Sequence, residues 1–221
     1  MSVLNKSGKK HRFGKAWMHE HMNDPYVKEA QRRGFRSRAA FKLLELAERD
    51  QLLRPGMTVV DLGSAPGSWC QVLRERLGGQ GKIIAIDLLP MVGMNGVDFI
   101  QGDFSVAEGL QAVREALQGA SADLVLSDMS PNLSGVEAAD QARSIGLAEL
   151  ALEFAAQHLR EGGDFATKLF QGAGSDAFRQ QTTAYFDKVY VRKPKASRGR
   201  SREIYVVGKG FKLARSEPVE R

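Results

Sequence analysis

The stretch VVDLGSAPGSWC, residues 59–70, decides how the rest of the chain is read. Valines and a leucine around one Asp read as the end of a buried strand, and GSAPG breaks that strand with turn formers. SWCQVLRERLG then takes up helical spacing and stops at Gly78-Gly79. A strand, a glycine-containing loop and a helix start, in that order, form the opening unit of a parallel α/β sheet, where ligands bind beyond the carboxyl ends of the strands. The glycines are spaced Gly63-x-x-x-Gly67, with Asp61 just before them and Pro66 between, so the dinucleotide fingerprint G-x-G-x-x-G is absent. A carboxylate serves a pyrophosphate poorly and a cation well. A sulfonium is a cation, and the loop favours S-adenosylmethionine over NAD.

Outward from this loop the pattern alternates. SRAAFKLLELAERD (37–50) predicts an amphipathic helix with Ser37 as a cap. MTVVDLG, KIIAIDLL and VDFIQGDF read as the first three strands, and SVAEGLQAVREALQG as a helix opened by a Ser–Glu capping box. ADLVLSD is the fourth strand, ADQARSIGLAELALEFAAQHLREGG a long helix closed by glycines, and DFATKLFQG the fifth strand. SDAFRQQTTAYF is a helix, and KVYVRKP and SREIYVVGKGF are two last strands joined by a short basic loop. The alternation predicts a Rossmann-like α/β fold: a seven-stranded, mostly parallel sheet with helices on both faces. The last pair lacks a crossover helix, so the final strand should be antiparallel. The expected organisation is a basic N-terminal arm over 1–35, one folded domain over 36–211 and a tail over 212–221.

Composition bounds the class. A chain of 221 residues suits one sizeable α/β domain, and no apolar run approaches the roughly 18–20 residues of a membrane span. The N-terminus has basic residues but no apolar stretch like that of a secretory signal. Cys70, the single cysteine, excludes an internal disulfide and reads as a buried structural thiol in a reducing compartment, so a cytoplasmic protein free of membranes is expected. The net charge of +6 is unevenly spread: residues 1–40 hold ten Lys or Arg against three acids, and 192–202 hold six against none. The remainder is net acidic, a segregation that solubility does not require and that points to a nucleic-acid partner. Candidate phosphate contacts are Arg36, Arg38, Lys193, Lys195, Arg198 and Arg200. Aromatics are sparse near them (Phe13, Trp17, Phe35), which favours phosphate tracking over base stacking.

The strand ends carry the chemistry. Asp87 closes IIAID, where a carboxylate accepts from ribose hydroxyls. Asp103 closes FIQGD, where an acid can accept from an adenine amino group, and Trp69 follows Gly67 closely enough to cover a ligand. Asp128 opens DMSPNLSG after the apolar ADLVLS, with no ring beside it to stack on a target base. Lys168, inside the apolar strand DFATKLF, is out of place unless it has a partner, because buried lysines need one.

These motifs together resemble a known family. DLGSAPG, SDMSPNLSG and ATKLFQG are similar to the corresponding stretches of the FtsJ/RlmE-type ribosomal RNA 2′-O-methyltransferases, and the resemblance runs from about Arg36 to Phe211. It implies a methyltransferase fold with S-adenosylmethionine as cofactor, held by Gly63, Gly67, Trp69, Asp87, Asp103 and Asp128, and no metal. It implies a catalytic Lys-Asp-Lys-Glu tetrad, matched here by Lys42, Asp128, Lys168 and Glu203. It also implies a uridine ribose in the A-loop of 23S ribosomal RNA as target, on the assembled large subunit, with no DNA partner and a monomeric enzyme.

The residue types suit that chemistry. A sulfonium methyl leaves behind a neutral thioether, so no acid is needed; in-line placement and a group to take the hydroxyl proton are. A free lysine, with a reference pKa of about 10.4, is almost wholly charged at neutral pH. A neighbouring ammonium favours the neutral form and carboxylates oppose it. On this reading Lys168 is the base or oxygen-steering group, Asp128 orients it, and Lys42 and Glu203 position the acceptor. The alternatives are a transfer-RNA or messenger-cap enzyme, for which no cap-binding aromatic pocket is evident, and a non-catalytic RNA-binding assembly factor, which has no use for an intact tetrad.

Overall fold

In chain order the elements are α1 (Pro25–Arg32), α2 (Ala39–Asp50), β1 (Thr58–Leu62), α3 (Ser68–Arg76), β2 (Lys82–Asp87), β3 (Asp98–Gln101) and α4 (Ala107–Leu117). They continue with β4 (Ala122–Ser127), α5 (Glu137–His158), β5 (Leu159–Phe170), α6 (Ser175–Tyr185), β6 (Phe186–Arg192) and β7 (Glu203–Phe211). The computed structural model describes residues 23–199 and 201–213. The expectations for residues 1–22, for Arg200 and for the tail from 214 onward therefore lie outside the described residues.

Among the described residues, seven strands form one sheet in the order β3-β2-β1-β4-β5-β7-β6. β3, β2, β1, β4 and β5 pair in parallel. β7 is antiparallel to both β5 and β6, so it alone is reversed, as its helix-free connection required. Alternation along the strands sends side chains to two cores. Val60, Leu62, Ile84, Val125 and Phe165 pack with Val113 of α4, Phe154 of α5 and Phe178 of α6 on one face. Val59, Ile83, Leu124, Ala166 and Tyr205 pack with Leu43 and Leu46 of α2 and Trp69 and Leu73 of α3 on the other. Period two places Asp61 on the α3 side, where Cys70 meets it.

Two features position the site. The strands β1, β2 and β4 end together, so the loops after them share one rim. α2 is fastened across the far half of the sheet by a forked ion pair, Arg192 Nε and Nη2 donating to Asp50 at 2.9 and 2.5 Å. Guanidinium–carboxylate forks fix orientation as well as distance, and this one fixes the helix that carries Lys42.

Local departures from the sequence reading have identifiable causes. Residues 25–32, within the expected arm, are helical: Asp24 caps α1 by accepting from Tyr26 N at 2.9 Å. The Ser–Glu capping box does not form, because Ser105 turns back and donates through N and Oγ to Asp103 Oδ1, and α4 begins at Ala107. α5 ends at His158 rather than at the glycines, and LREGG extends β5 instead, with a register shift opposite Ala122–Leu124.

Candidate active site

At the carboxyl ends of β1, β2, β3 and β4 lies a cavity of about 370 Å³ whose lining includes Gly63, Asp87, Asp103, Phe104, Asp128, Met129 and Leu147. Gly63 has φ +80°, and a Cβ there would sit 2.7 Å from Met129 N, so the loop after β4 can close on the glycine loop only over a residue without a side chain. Asp87 accepts from Ala65 N at 2.9 Å and Leu89 N at 2.8 Å, one bond per carboxylate oxygen. Each oxygen can accept a second, which suits ribose hydroxyls. Asp103 takes both of its bonds from Ser105 on Oδ1.

Asp61, beneath the glycine loop, is fully buried. Its Oδ2 accepts from the Cys70 thiol at 3.4 Å, and its Oδ1 has no partner among the described residues. Burial pushes its pKa up to about 7, with the charges of Asp128 and Asp87 adding to the shift. Burial likewise pushes the Cys70 thiol up, so it is a structural group. Acidic strand ends, an orphaned buried carboxylate oxygen and a glycine cradle fit a cationic nucleoside ligand.

Two expected cofactor contacts do not line this cavity. Trp69 is 2 % exposed, packs in the core under α2 and donates its indole N–H to Ala39 O at 2.8 Å. Its ring therefore covers no ligand; what it can offer is its backbone N–H in the first turn of α3, where helical N–H groups lack intrahelical partners. Gly67, at φ +100°, lies against Arg36 Nη1 and Met91 Sδ, each 2.6 Å from where a Cβ would be. It is glycine for packing behind the loop.

Beside the cavity the four tetrad positions come together, although they lie in α2, the loop after β4, β5 and β7. Lys168 Nζ is 3.1 Å from Asp128 Oδ1 and donates to Asp128 O at 2.7 Å. Lys42 Nζ pairs with Glu203 Oε2 at 3.1 Å. Both ammonium-bearing residues are largely buried, at 9 % exposure for Lys42 and 6 % for Lys168. Burial alone would raise the Asp128 pKa, but the charges of Lys168 and Lys42 and the Tyr205 hydroxyl outweigh it and hold the carboxyl below its ordinary range.

Tyr205, which the sequence reading did not single out, joins the two pairs. Its hydroxyl donates to Asp128 Oδ1 at 2.7 Å, and Lys42 Nζ lies 5.9 Å from its ring centroid. Burial, then Asp128, keeps that hydroxyl protonated well beyond its ordinary range. Tyr205 is the register partner of Lys168 across β5–β7 and shares a strand face with Glu203, two residues earlier. That period was the available signal. Asp140, also missed, accepts from Ser134 N at 2.8 Å and Gly135 N at 3.1 Å and so ties down the loop that carries Asp128.

On the other side of the tetrad is a second cavity, about 490 Å³, lined by Lys42, Glu203, Ser37, Arg38, Arg198 and Ser201 among others. The basic candidates divide by position. Arg38 and Arg198 are in this wall. Lys193 and Lys195 are exposed on the β6–β7 loop, with Lys193 Nζ donating to Ser201 O at 2.6 Å. Arg36 braces the glycine loop, donating to Pro66 O at 3.0 Å and Gly93 O at 3.4 Å.

A doubly wound sheet whose strands end in carboxylates around such a cavity, with no phosphate-binding glycine turn, defines an S-adenosylmethionine-dependent methyltransferase. The model for FtsJ-like methyltransferases matches residues 35–211. The chain belongs to that family. It is 58 % identical over 200 residues to the ribosomal RNA large subunit methyltransferase E of Azoarcus sp. strain BH72, covering 90 % of this chain and 98 % of that one. The protein of the same name from Alkalilimnicola ehrlichii is 57 % identical, over 89 % of this chain and 94 % of its own. Among solved structures, one described as a ribosomal RNA methyltransferase from Plasmodium falciparum superposes with a TM-score of 0.73 at 33 % identity, over 80 % of this chain and 98 % of that chain.

Proposed function

We propose that the protein methylates ribosomal RNA of the large subunit, on a ribose 2′-hydroxyl, and that its target is a uridine of the 23S A-loop on the assembled subunit. The relatives' names support ribosomal RNA as the substrate class. One observation carries the chemistry: Asp128 lines the acidic cavity, Lys42 and Glu203 line the basic one, and Lys168 and Tyr205 bridge to Asp128 between them.

Bound S-adenosylmethionine supplies an electrophilic methyl group on a sulfonium that departs as a neutral thioether. The chain's own residues do the rest. Asp87 and Asp103 are the acceptors for the cofactor's ribose and adenine, and Asp61 and Asp128 offer negative charge to its cationic end. Lys42, braced by Glu203, holds the acceptor nucleotide from the basic side. Lys168, held by two oxygens of Asp128, steers the hydroxyl oxygen into line. Once its own extra proton has passed to solvent, its neutral amine receives the hydroxyl proton as the oxygen's lone pair forms the new O–CH₃ bond. Arg38, Lys193, Lys195 and Arg198 contact backbone phosphates, whereas Arg36 acts on the glycine loop.

The test is transfer of tritiated methyl to large subunits from cells lacking this enzyme, followed by alkaline hydrolysis and mapping. An alkali-resistant linkage at one uridine is expected, because a 2′-O-methyl blocks the attacking hydroxyl. Label on a base, or on transfer RNA in preference to subunits, would overturn the proposal.

A further inference from the structure

Asp24, just before α1, uses its two carboxylate oxygens for different tasks. Oδ1 accepts from Tyr26 N at 2.9 Å and caps the helix. Oδ2 is paired with Arg38 and lies 3.8 Å from Arg198 Nε. Arg38 also donates to Ala196 O, which joins the start of α1, the start of α2 and the basic β6–β7 loop in one cluster. The Asp24 side chain is 8 % exposed.

Arg38 and Arg198 both line the cavity that has Lys42 and Glu203 in its wall, and Asp24 does not. The acid therefore stands behind the two arginines. Guanidinium groups brought side by side repel one another unless an anion lies between them, and a long side chain without a fixed partner loses much entropy when it is ordered on binding. A carboxylate behind a ligand-binding group orients it, much as outer-shell carboxylates orient metal-binding histidines. α1 holds the acid in place by packing Val27 and Ala30 inward and by the Tyr26–Phe41 ring contact, 5.6 Å between centroids.

We infer that Asp24 is a positioning residue for the acceptor strand: it fixes Arg38 and Arg198 as a pair that receives one backbone phosphodiester of the RNA whose ribose faces Lys42 and Glu203. This rests on the RNA reading proposed above.

Asp24→Asn separates this role from capping. Asn is as good an N-cap as Asp, so the bond to Tyr26 survives while the charge between the arginines is removed. With full-length protein and large subunits, the KM for RNA should rise roughly ten-fold, with kcat and the KM for S-adenosylmethionine within about two-fold. The log–log salt dependence of the RNA KM should flatten by roughly 0.7–0.9, the share of one phosphate contact. Asp24→Glu should recover most of the affinity, and Asp24→Asn should lower the melting temperature by less than Asp24→Ala, which removes the helix cap as well. An unchanged RNA KM, or a loss of RNA affinity that merely scales with the fall in melting temperature from Asp24→Asn to Asp24→Ala, would overturn the inference. The wild-type assay tests the RNA reading separately. If wild type leaves no methyl on ribose, that reading fails; if it does and Asp24→Asn behaves like it, only the role of Asp24 fails.

Discussion

Replacing Asp61 with Asn should stabilise the free protein at neutral and alkaline pH while weakening its hold on the cofactor. The carboxyl is fully buried and its pKa is pushed from an ordinary 3.8 up to about 7 by burial first. Because the folded pKa lies above the unfolded one, the native state retains a proton that the unfolded chain gives up between about pH 4 and pH 7. Stability therefore falls through that window and levels off above it. A gap of roughly three pKa units, at 1.36 kcal/mol each, is about 4 kcal/mol. Asn resembles the protonated acid in shape and does not titrate, so it avoids this loss. The stability gap between Asp61→Asn and wild type should widen from less than about 1 kcal/mol near pH 4 to about 4 kcal/mol at pH 8, read by urea denaturation across the pH range. Groups that titrate alike in both proteins largely cancel in the difference. At pH 8 the variant should also bind S-adenosylmethionine more weakly, since a neutral amide no longer attracts a cation. A stability gap that stays flat across pH would refute the reasoning, because it would mean that burial does not govern the ionisation of Asp61.

Other perturbations separate the roles of neighbouring groups. Lys168→Ala should lower single-turnover methyl transfer by about 10²–10⁴-fold with cofactor binding within a few-fold by calorimetry; near-normal turnover removes Lys168 from the proton path. Tyr205→Phe deletes the hydroxyl that donates to Asp128 Oδ1, and a hydrogen bond to a charged group of roughly 1.5–3 kcal/mol implies about a ten- to hundred-fold drop in kcat. A drop confined to KM would show that Tyr205 acts on binding alone. Asp87→Ala should raise the Kd for S-adenosylmethionine by at least about ten-fold, with Asp87→Asn intermediate because it keeps one acceptor; unchanged affinity would mean the ribose is held elsewhere.

What the sequence made legible follows the range of the interactions involved. The β1–α3 loop, the strand-end acids Asp87 and Asp103 and the reversal of β7 depend on neighbours in sequence, and pattern was enough to read them. The tetrad was visible only through its resemblance to a family, because Lys42 on its own is an ordinary helix lysine until β7 and Glu203 are laid beside it. For Trp69 it is the placement of the ring that departs from expectation, for a local reason. Its place soon after Gly67 marks chain position, but Trp69, Val72 and Leu73 form a stripe at helical spacing, and that stripe is the face of α3 buried in the core. The failed capping box shows competition: Ser105 had two possible partners, and the nearer acid, Asp103, won. The Asp24–Arg38–Arg198 cluster could not have been read at all, since pairing over such a separation leaves no periodic trace.

The uneven charge of the chain has a physical counterpart in the two cavities. Asp61, Asp87, Asp103 and Asp128 gather at the ends of the first four strands, whereas Arg38, Lys42 and Arg198 gather where α2 meets the β6–β7 loop. A cationic donor and a polyanionic acceptor placed in a single pocket of either sign would leave one of them mismatched. Splitting the site into an acidic and a basic half removes that conflict, provided the boundary carries no strong field of its own. Lys42–Glu203 and Lys168–Asp128 meet that condition as two ion pairs of zero net charge, linked by the neutral Tyr205. The pairing also explains how two lysines stay so largely buried: an unpartnered ammonium there would have to shed its proton or draw in water. Removing either carboxylate should therefore harm more than the orientation of one lysine, because it leaves a buried positive charge facing the methyl donor, itself a cation.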